Sequence, residues 1–177
     1  MDLNYCNIKY KDIANGTGVR TVLFVSGCTH HCRGCFQPDT WDFDYGQRFT
    51  DETANEIVES LAPEYIEGLT LLGGEPMERV NQTGLLPLLQ KVREVYGDQK
   101  NIWCYSGYDF DTEILPVDGR AHFDTTEELL SLLDVLVDGE FHLEEKDITL
   151  RFRGSRNQRV IDVKKTLEKG ETVLLFE

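Results

Sequence analysis

The run Thr21-Val22-Leu23-Phe24-Val25 is apolar at nearly every position and passes, after Ser26 and Gly27, straight into Cys28, Cys32 and Cys35. A nearly continuous apolar strand has both faces covered, as in a sheet buried between layers. The cysteines, spaced C-x3-C-x2-C, therefore hang from the end of a buried strand. Three thiolates on one short loop can hold three irons of a cubane iron–sulfur cluster and leave the fourth iron open to a substrate or cofactor. Structural zinc wants four ligands, usually as two pairs. A second pair is missing: Cys6 and Cys104 are isolated, and zinc would have to recruit His30 or His31 from the same tight loop. The odd local count argues against a disulfide.

Strand and helix signals then alternate. Thr50 or Asp51 can cap a helix to about Leu61, with Ala54, Ile57, Val58 and Leu61 on one face. Leu69–Leu72 is a second strand. Leu85, Leu86, Leu88, Leu89, Val92 and Val95 form a helical stripe, interrupted early by Pro87 and closed near Gly97. Asn101–Tyr105 is a third strand, and Thr125 with Glu128 reads as a capping box for a helix through Leu133. Val135–Val137 is a further strand, with Arg159–Val163 and Glu171–Phe176 as weaker ones. This order predicts α/β architecture built from parallel βα units, with function at the C-terminal strand ends. Cys28, Gly73, Ser106 and Asp138 all fall there. The units are too few to close an eight-stranded barrel, so an open, partial (βα) barrel of largely parallel strands is expected, with a flavodoxin-like sheet as the alternative.

The second strand runs into Gly73-Gly74-Glu75-Pro76. Two glycines remove side chains so that backbone carbonyls can approach a ligand ammonium group. Glu75 adds a negative charge nearby, and Pro76 stiffens the exit. Alone this is an ordinary turn; some forty residues after a cubane-type loop, about one strand–helix unit on, it points to a ligand.

With 177 residues, 40% of them hydrophobic, the chain suffices for one compact domain over residues 1–177. No linker or repeat divides it. Its apolar runs are strand-sized, too short to span a bilayer, so no membrane partner is expected. The N-terminus lacks the basic and apolar regions of a signal peptide, and unpaired cysteines imply a reducing cytoplasm. A balance of 32 acidic to 18 basic residues, net −14, repels phosphate backbones and argues against a nucleic-acid partner. The acidic surface either keeps the protein soluble or helps hold a cluster at low potential.

The cysteine spacing, Phe36 directly after the last cysteine, and Gly73–Pro76 together resemble the radical S-adenosylmethionine enzymes. Further stretches narrow the resemblance: Asn15-Gly16-Thr17-Gly18-Val19-Arg20, Trp41, Trp103–Tyr108, Asp134–Phe141 and Arg153–Arg159. From about Tyr5 to Val173 the chain is similar to the glycyl-radical activases that serve anaerobic ribonucleoside-triphosphate reductases. Cys104 stands where an apolar or aromatic residue is expected, and Pro116–Asp124 carries no recognised motif.

The resemblance implies a single 4Fe-4S cluster on Cys28, Cys32 and Cys35, whose open iron binds the methionine part of S-adenosylmethionine. Reductive cleavage to methionine and a 5′-deoxyadenosyl radical would then create a glycyl radical on the reductase, the protein substrate, with reduced flavodoxin as electron donor. Gly34, Cys35 and Phe36 would lie near the adenine, and Gly73 and Gly74 would fix the methionine ammonium. Glu75 would stand beside them, with Ser106 and Asp138 as ribose or ammonium partners. Arg20 would meet a carboxylate of partner or cofactor, or a surface acid. His30 and His31 read as variable loop residues, Cys6 and Cys104 as free thiols, and Asn157–Arg159 as either a contact segment or a structural turn. A radical enzyme with a small-molecule substrate is the second reading, and a ferredoxin-like carrier or zinc module the third.

Overall fold

Period-2 alternation along the strands divides the molecule into a helix-covered side and an open side. The computed structural model describes residues 2–176. Its elements in chain order are β1 (Asn4–Asp12), β2 (Val19–Val25), β3 (Gln47–Arg48), α1 (Asp51–Ser60), β4 (Ile66–Gly73), α2 (Arg79–Tyr96), β5 (Asn101–Tyr105), α3 (Thr126–Leu132), β6 (Val135–Asp138), β7 (Arg159–Asp162), α4 (Val163–Lys169) and β8 (Leu174–Phe176). The strands form one sheet in the order β3-β1-β2-β4-β5-β6-β7-β8.

The fold is α/β, but the sheet is mixed. β2, β4, β5 and β6 run parallel, whereas β1 and β3 on one flank and β7 and β8 on the other pair antiparallel. Parallel neighbours need a crossover element between them. Residues 13–18 between β1 and β2 are too few for one, and residues 139–158 between β6 and β7 contain no α-helix. The expectation of largely parallel strands thus holds only for the centre.

Leu23, Val25, Leu69, Leu71, Ile102, Cys104, Leu136 and Ile161 point to the helix side and pack with Ile57, Leu85, Leu89 and Leu129 in the main core. Cys104 is one buried apolar group among these. On the opposite face Trp103, Val135, Val137 and Val160 form a second cluster, with Phe152 and Phe176 against it. This cluster fills one end of the open side; Phe24, Leu72 and Tyr105, nearer the C-terminal strand ends, border a cavity.

Beneath that cavity lies Arg20, fully buried. It donates to Thr70 Oγ1 (2.8 Å) and to the carbonyls of Leu69 (2.9 Å), Thr17 (3.0 Å) and Asn101 (3.3 Å), and its guanidinium sits 5.4 Å from the Trp103 ring. Among the described residues it forms no salt bridge with a carboxylate; it is a cross-tie between β2, β4 and β5.

Local signals mostly act as the sequence indicates. Thr50 caps α1 reciprocally with Thr53. Two expectations fail. α2 continues through Pro87, because Leu85, Leu88, Leu89 and Val92 are buried. Each such side chain contributes about 1.5–3 kcal/mol, together exceeding the roughly 3 kcal/mol that an interior proline costs. Thr125 and Glu128 do not form a capping box: Thr125 Oγ1 donates to Gln82 Oε1 (3.1 Å), and Glu128 accepts from Gln90 (2.6 Å). Among the described residues no helix is long and apolar enough to cross a membrane.

Arg20→Ala should leave three main-chain carbonyls without their donor, that of Leu69 fully buried. The expected loss is about 3 kcal/mol of unfolding free energy, read from anaerobic urea titrations. A loss below about 0.5 kcal/mol, as for a surface residue, would contradict the cross-tie.

Candidate metal centre

The loop after β2 is fastened first through its backbone. Gly27 N–H donates to Thr40 O (2.7 Å) and Cys28 N–H to Trp41 O (3.3 Å), while His31 stacks on Trp41 at 4.3 Å. The turn after β4 docks onto the same loop, Gly74 N–H to Val25 O (2.7 Å) and Glu75 N–H to Gly27 O (2.8 Å). Both glycines are sterically required by this contact. A Cβ on Gly73, whose φ is +106°, would lie 2.4 Å from Val25 O, and one on Gly74 would lie 2.6 Å from Gly27 O and 2.9 Å from Thr40 O.

Glu75 gathers the loops. Its carboxylate is 1% exposed. Oε1 accepts from His30 Nε2 (2.8 Å) and Gly107 N–H (2.6 Å), and Oε2 from Ser106 Oγ (2.9 Å) and Met77 N–H (2.8 Å). Glu78 acts similarly, accepting from Thr29 N–H (3.0 Å), Thr29 Oγ1 (2.6 Å) and Tyr108 Oη (3.2 Å). Glu140, after β6, takes the other ring nitrogen of His30 at 2.9 Å. Fully buried Asn81 at the start of α2 donates to Ser26 O (3.0 Å) and Glu75 O (2.8 Å). His30 is therefore a bridge between two carboxylates. Burial opposes its charge, yet the hydrogen bonds and charges of Glu75 and then Glu140 prevail and push the imidazole up to about 9.

Cys28, Cys32 and Cys35 all border one cavity of about 410 Å³, together with Phe36, Gly73, Gly74, Glu75 and Ser106. Its floor is the sheet face carrying Phe24, Leu72 and Tyr105. Burial, reinforced by Glu75 and Glu78, pushes the Cys28 thiol up to about 12 against backbone N–H groups that lower it; burial also raises Cys32. Among the described residues no three His, Cys, Asp or Glu side chains converge on a point for a single metal ion. Three thiols spread round one cavity suit a polynuclear cluster, whose irons occupy separate corners, and thiolate is the donor such clusters take. The donor set therefore fits a 4Fe-4S cluster.

Two expected cofactor residues lie off the cavity. Gly34 turns the loop at its surface, facing Leu143 and Phe141. Asp138 is 1% exposed, and its carboxylate accepts from Arg159 Nε (3.1 Å), Arg159 Nη2 (2.6 Å) and Phe110 N–H (2.8 Å). Within Asn157–Arg159, Asn157 Nδ2 donates to Glu140 O and Gln158 Nε2 to Gly139 O, so this stretch is a structural turn whose Gln158 also reaches the cavity wall. Cys6 is half-buried with its Sγ 4.0 Å from Gln37 Oε1. The roles of Glu78, Asn81 and Glu140 escaped the sequence reading. Asn81 did carry a signal: a polar residue four places before Leu85, on the face that the apolar stripe buries.

A three-cysteine loop and a glycine turn meeting over one cavity define an iron–sulfur protein of the single-cluster kind. The model of the 4Fe-4S single cluster domain matches residues 14–161, and the chain belongs to that family and, within it, to the anaerobic ribonucleoside-triphosphate reductase-activating proteins. A protein of that name from Haemophilus influenzae is 40% identical over 158 residues, covering 88% of this chain and 96% of the relative. The protein so named from Escherichia coli K12 is 39% identical over 161 residues (89% and 97%), and that from Enterobacteria phage T4 38% over 160 residues (89% and 93%).

Gly74→Ala should push the turn off the cysteine loop, since both obstructing atoms are backbone. Overpacking of this kind costs about 1–3 kcal/mol. Iron content after anaerobic reconstitution should fall together with thermal stability. Wild-type iron content with unchanged melting would show that the turn has room for the methyl group.

Proposed function

We propose that this chain activates an anaerobic ribonucleoside-triphosphate reductase by generating a glycyl radical on it, as a radical S-adenosylmethionine enzyme. The observation that carries this reading is the meeting of Cys28, Cys32, Cys35, Gly73 and Gly74 on one cavity. The name shared by relatives of about 40% identity supports the choice of reductase. The central parallel strands with their helices on one face would be an open, partial (βα) barrel, and residues 1–177 one domain working in the cytoplasm.

Cys28, Cys32 and Cys35 would hold the 4Fe-4S cluster as thiolates, releasing their protons on ligation. When bound, the cluster supplies one electron, from a donor such as reduced flavodoxin, for cleavage of S-adenosylmethionine to methionine and the 5′-deoxyadenosyl radical. Carbonyl groups of the Gly73–Gly74 turn, unshielded by side chains, would accept from the methionine ammonium. Phe36, 81% exposed at the cavity rim, would offer its ring to the adenine. Ser106 Oγ donates to Glu75 and accepts from Tyr108 N–H, so the wall's polarity lies in a hydrogen-bonded network already in place. The rim leaves the Phe36 ring open to solvent, which suits entry of a loop from a protein substrate.

The test is to mix reconstituted protein, S-adenosylmethionine, reductant and the cognate reductase without oxygen, and record the electron paramagnetic resonance spectrum. A glycine-centred signal with stoichiometric 5′-deoxyadenosine is expected. It should vanish with Cys28→Ala, Cys32→Ala or Cys35→Ala and persist with Cys6→Ala or Cys104→Ala. Cofactor cleavage with no glycyl signal at any reductant strength would sink the activase reading.

A further inference from the structure

The cavity has a floor as well as a cysteine-bearing roof, and the floor carries polar groups that the fold leaves unused. β2, β4 and β5 lie side by side with Phe24 paired to Leu72 and Cys104 to Leu71, so Phe24, Leu72 and Tyr105 make one row across the sheet. Lys9 of β1 is paired with Val22, on the same face as Phe24, and its Nζ rises to 5.3 Å from the Phe24 ring centroid. Along the cavity wall the side chains of Glu75, Ser106, His30 and Gln158 are occupied, while the Gln37 amide nitrogen and the Trp41 indole nitrogen have no hydrogen-bond partner among the described residues. Glu75 accepts four bonds, Ser106 donates to Glu75, both nitrogens of His30 are taken, and the Gln158 amide is held at both ends. On the floor the ammonium of Lys9 and the hydroxyl of Tyr105 have no hydrogen-bond or ion-pair partner among the described residues, although both residues line the cavity. Burial pushes the Tyr105 phenol far above its ordinary range, so it stays protonated and able to donate.

Resting on the activase reading, we infer that Lys9 and Tyr105 bind the main chain of the glycine-bearing segment of the protein substrate, donating to the carbonyl groups that flank the glycine. Two donors above an apolar floor offer a glycine segment what it can use. Glycine has no side chain to recognise, and its neighbouring carbonyls are the acceptors always present. Phe24 and Leu72 give the bare Cα a dry surface to lie on, and fixing the chain at two points orients that Cα toward the roof. Glu75, Ser106, His30 and Gln158, by contrast, are already tied to protein, which leaves Lys9 and Tyr105 to the second reactant.

Lys9→Met and Tyr105→Phe keep the side-chain bulk and remove one donor each. The holoenzyme variants are assayed anaerobically with dithionite, spin-counting the glycyl radical against reductase concentration. 5′-Deoxyadenosine formation is measured separately against S-adenosylmethionine concentration. Each variant should need about tenfold more reductase for half-maximal radical, the scale of one lost hydrogen bond. Iron content and the S-adenosylmethionine requirement should stay as in wild type. Unchanged reductase dependence in both variants would overturn the inference, as would a raised S-adenosylmethionine requirement, which would assign the donors to the cofactor. Lys9 is exposed, so Lys9→Met decides the matter should Tyr105→Phe disturb the floor. Absence of radical with the wild-type protein would instead overturn the activase reading, a result separate from wild-type radical with unaltered variants.

Discussion

A carboxylate almost wholly removed from water must have its lone pairs filled, and Glu75 fills them from three different loops. Burying an unpaired carboxylate is among the costliest things a fold can do. Its four donors come from the cysteine loop (His30), from its own turn (Met77) and from the loop after β5 (Ser106 and Gly107). Because His30 also reaches Glu140, the loop after β6 joins the same network. The ends of the four parallel strands are thus one electrostatically coupled piece. The cysteines are held in a frame rather than on a free loop, and a site whose supporting groups are themselves fixed loses little to reorganisation when it reacts.

The same arrangement accounts for the division of labour across the sheet. Helices cover one face, and Leu23, Leu71, Cys104 and Leu136 supply the packing that stabilises the fold. The other face is closed low down by Arg20, Trp103 and Phe152 and left open above, between the cysteine roof and the Phe24–Leu72–Tyr105 floor. Stability and chemistry therefore use alternate residues of the same strands. A one-residue change of register would exchange the two faces.

Much of this was legible before any coordinates. The three-cysteine loop, the Gly-Gly turn, the strand Asn101–Tyr105 and the strand at Val135 lie where spacing and apolar runs put them, because these signals are local. The antiparallel flanks were not legible: β1 carries alternating polar residues, and its pairing with β2 spans a bulge at Tyr5/Asn7 that blurs the period. Asp138 looked like a ligand because it ends a strand beside the site. Its partner Arg159 is 21 residues away, and only the antiparallel pairing of β6 with β7 brings the two together. Thr125 and Glu128 matched a capping pattern, but Gln82 and Gln90 across the α2–α3 contact claim their side chains. Tertiary competitors of this kind leave no trace in spacing.

The central claim is that Cys28, Cys32 and Cys35 hold a four-iron cluster with one iron left for the cofactor beside the Gly73–Gly74 turn. Mössbauer spectroscopy of protein reconstituted with ⁵⁷Fe, with and without S-adenosylmethionine, addresses it directly. One iron of the four should change its isomer shift and quadrupole splitting when S-adenosylmethionine is added, while the other three keep theirs. Four irons unaffected by the cofactor, or a protein that binds zinc in place of iron, would contradict the account.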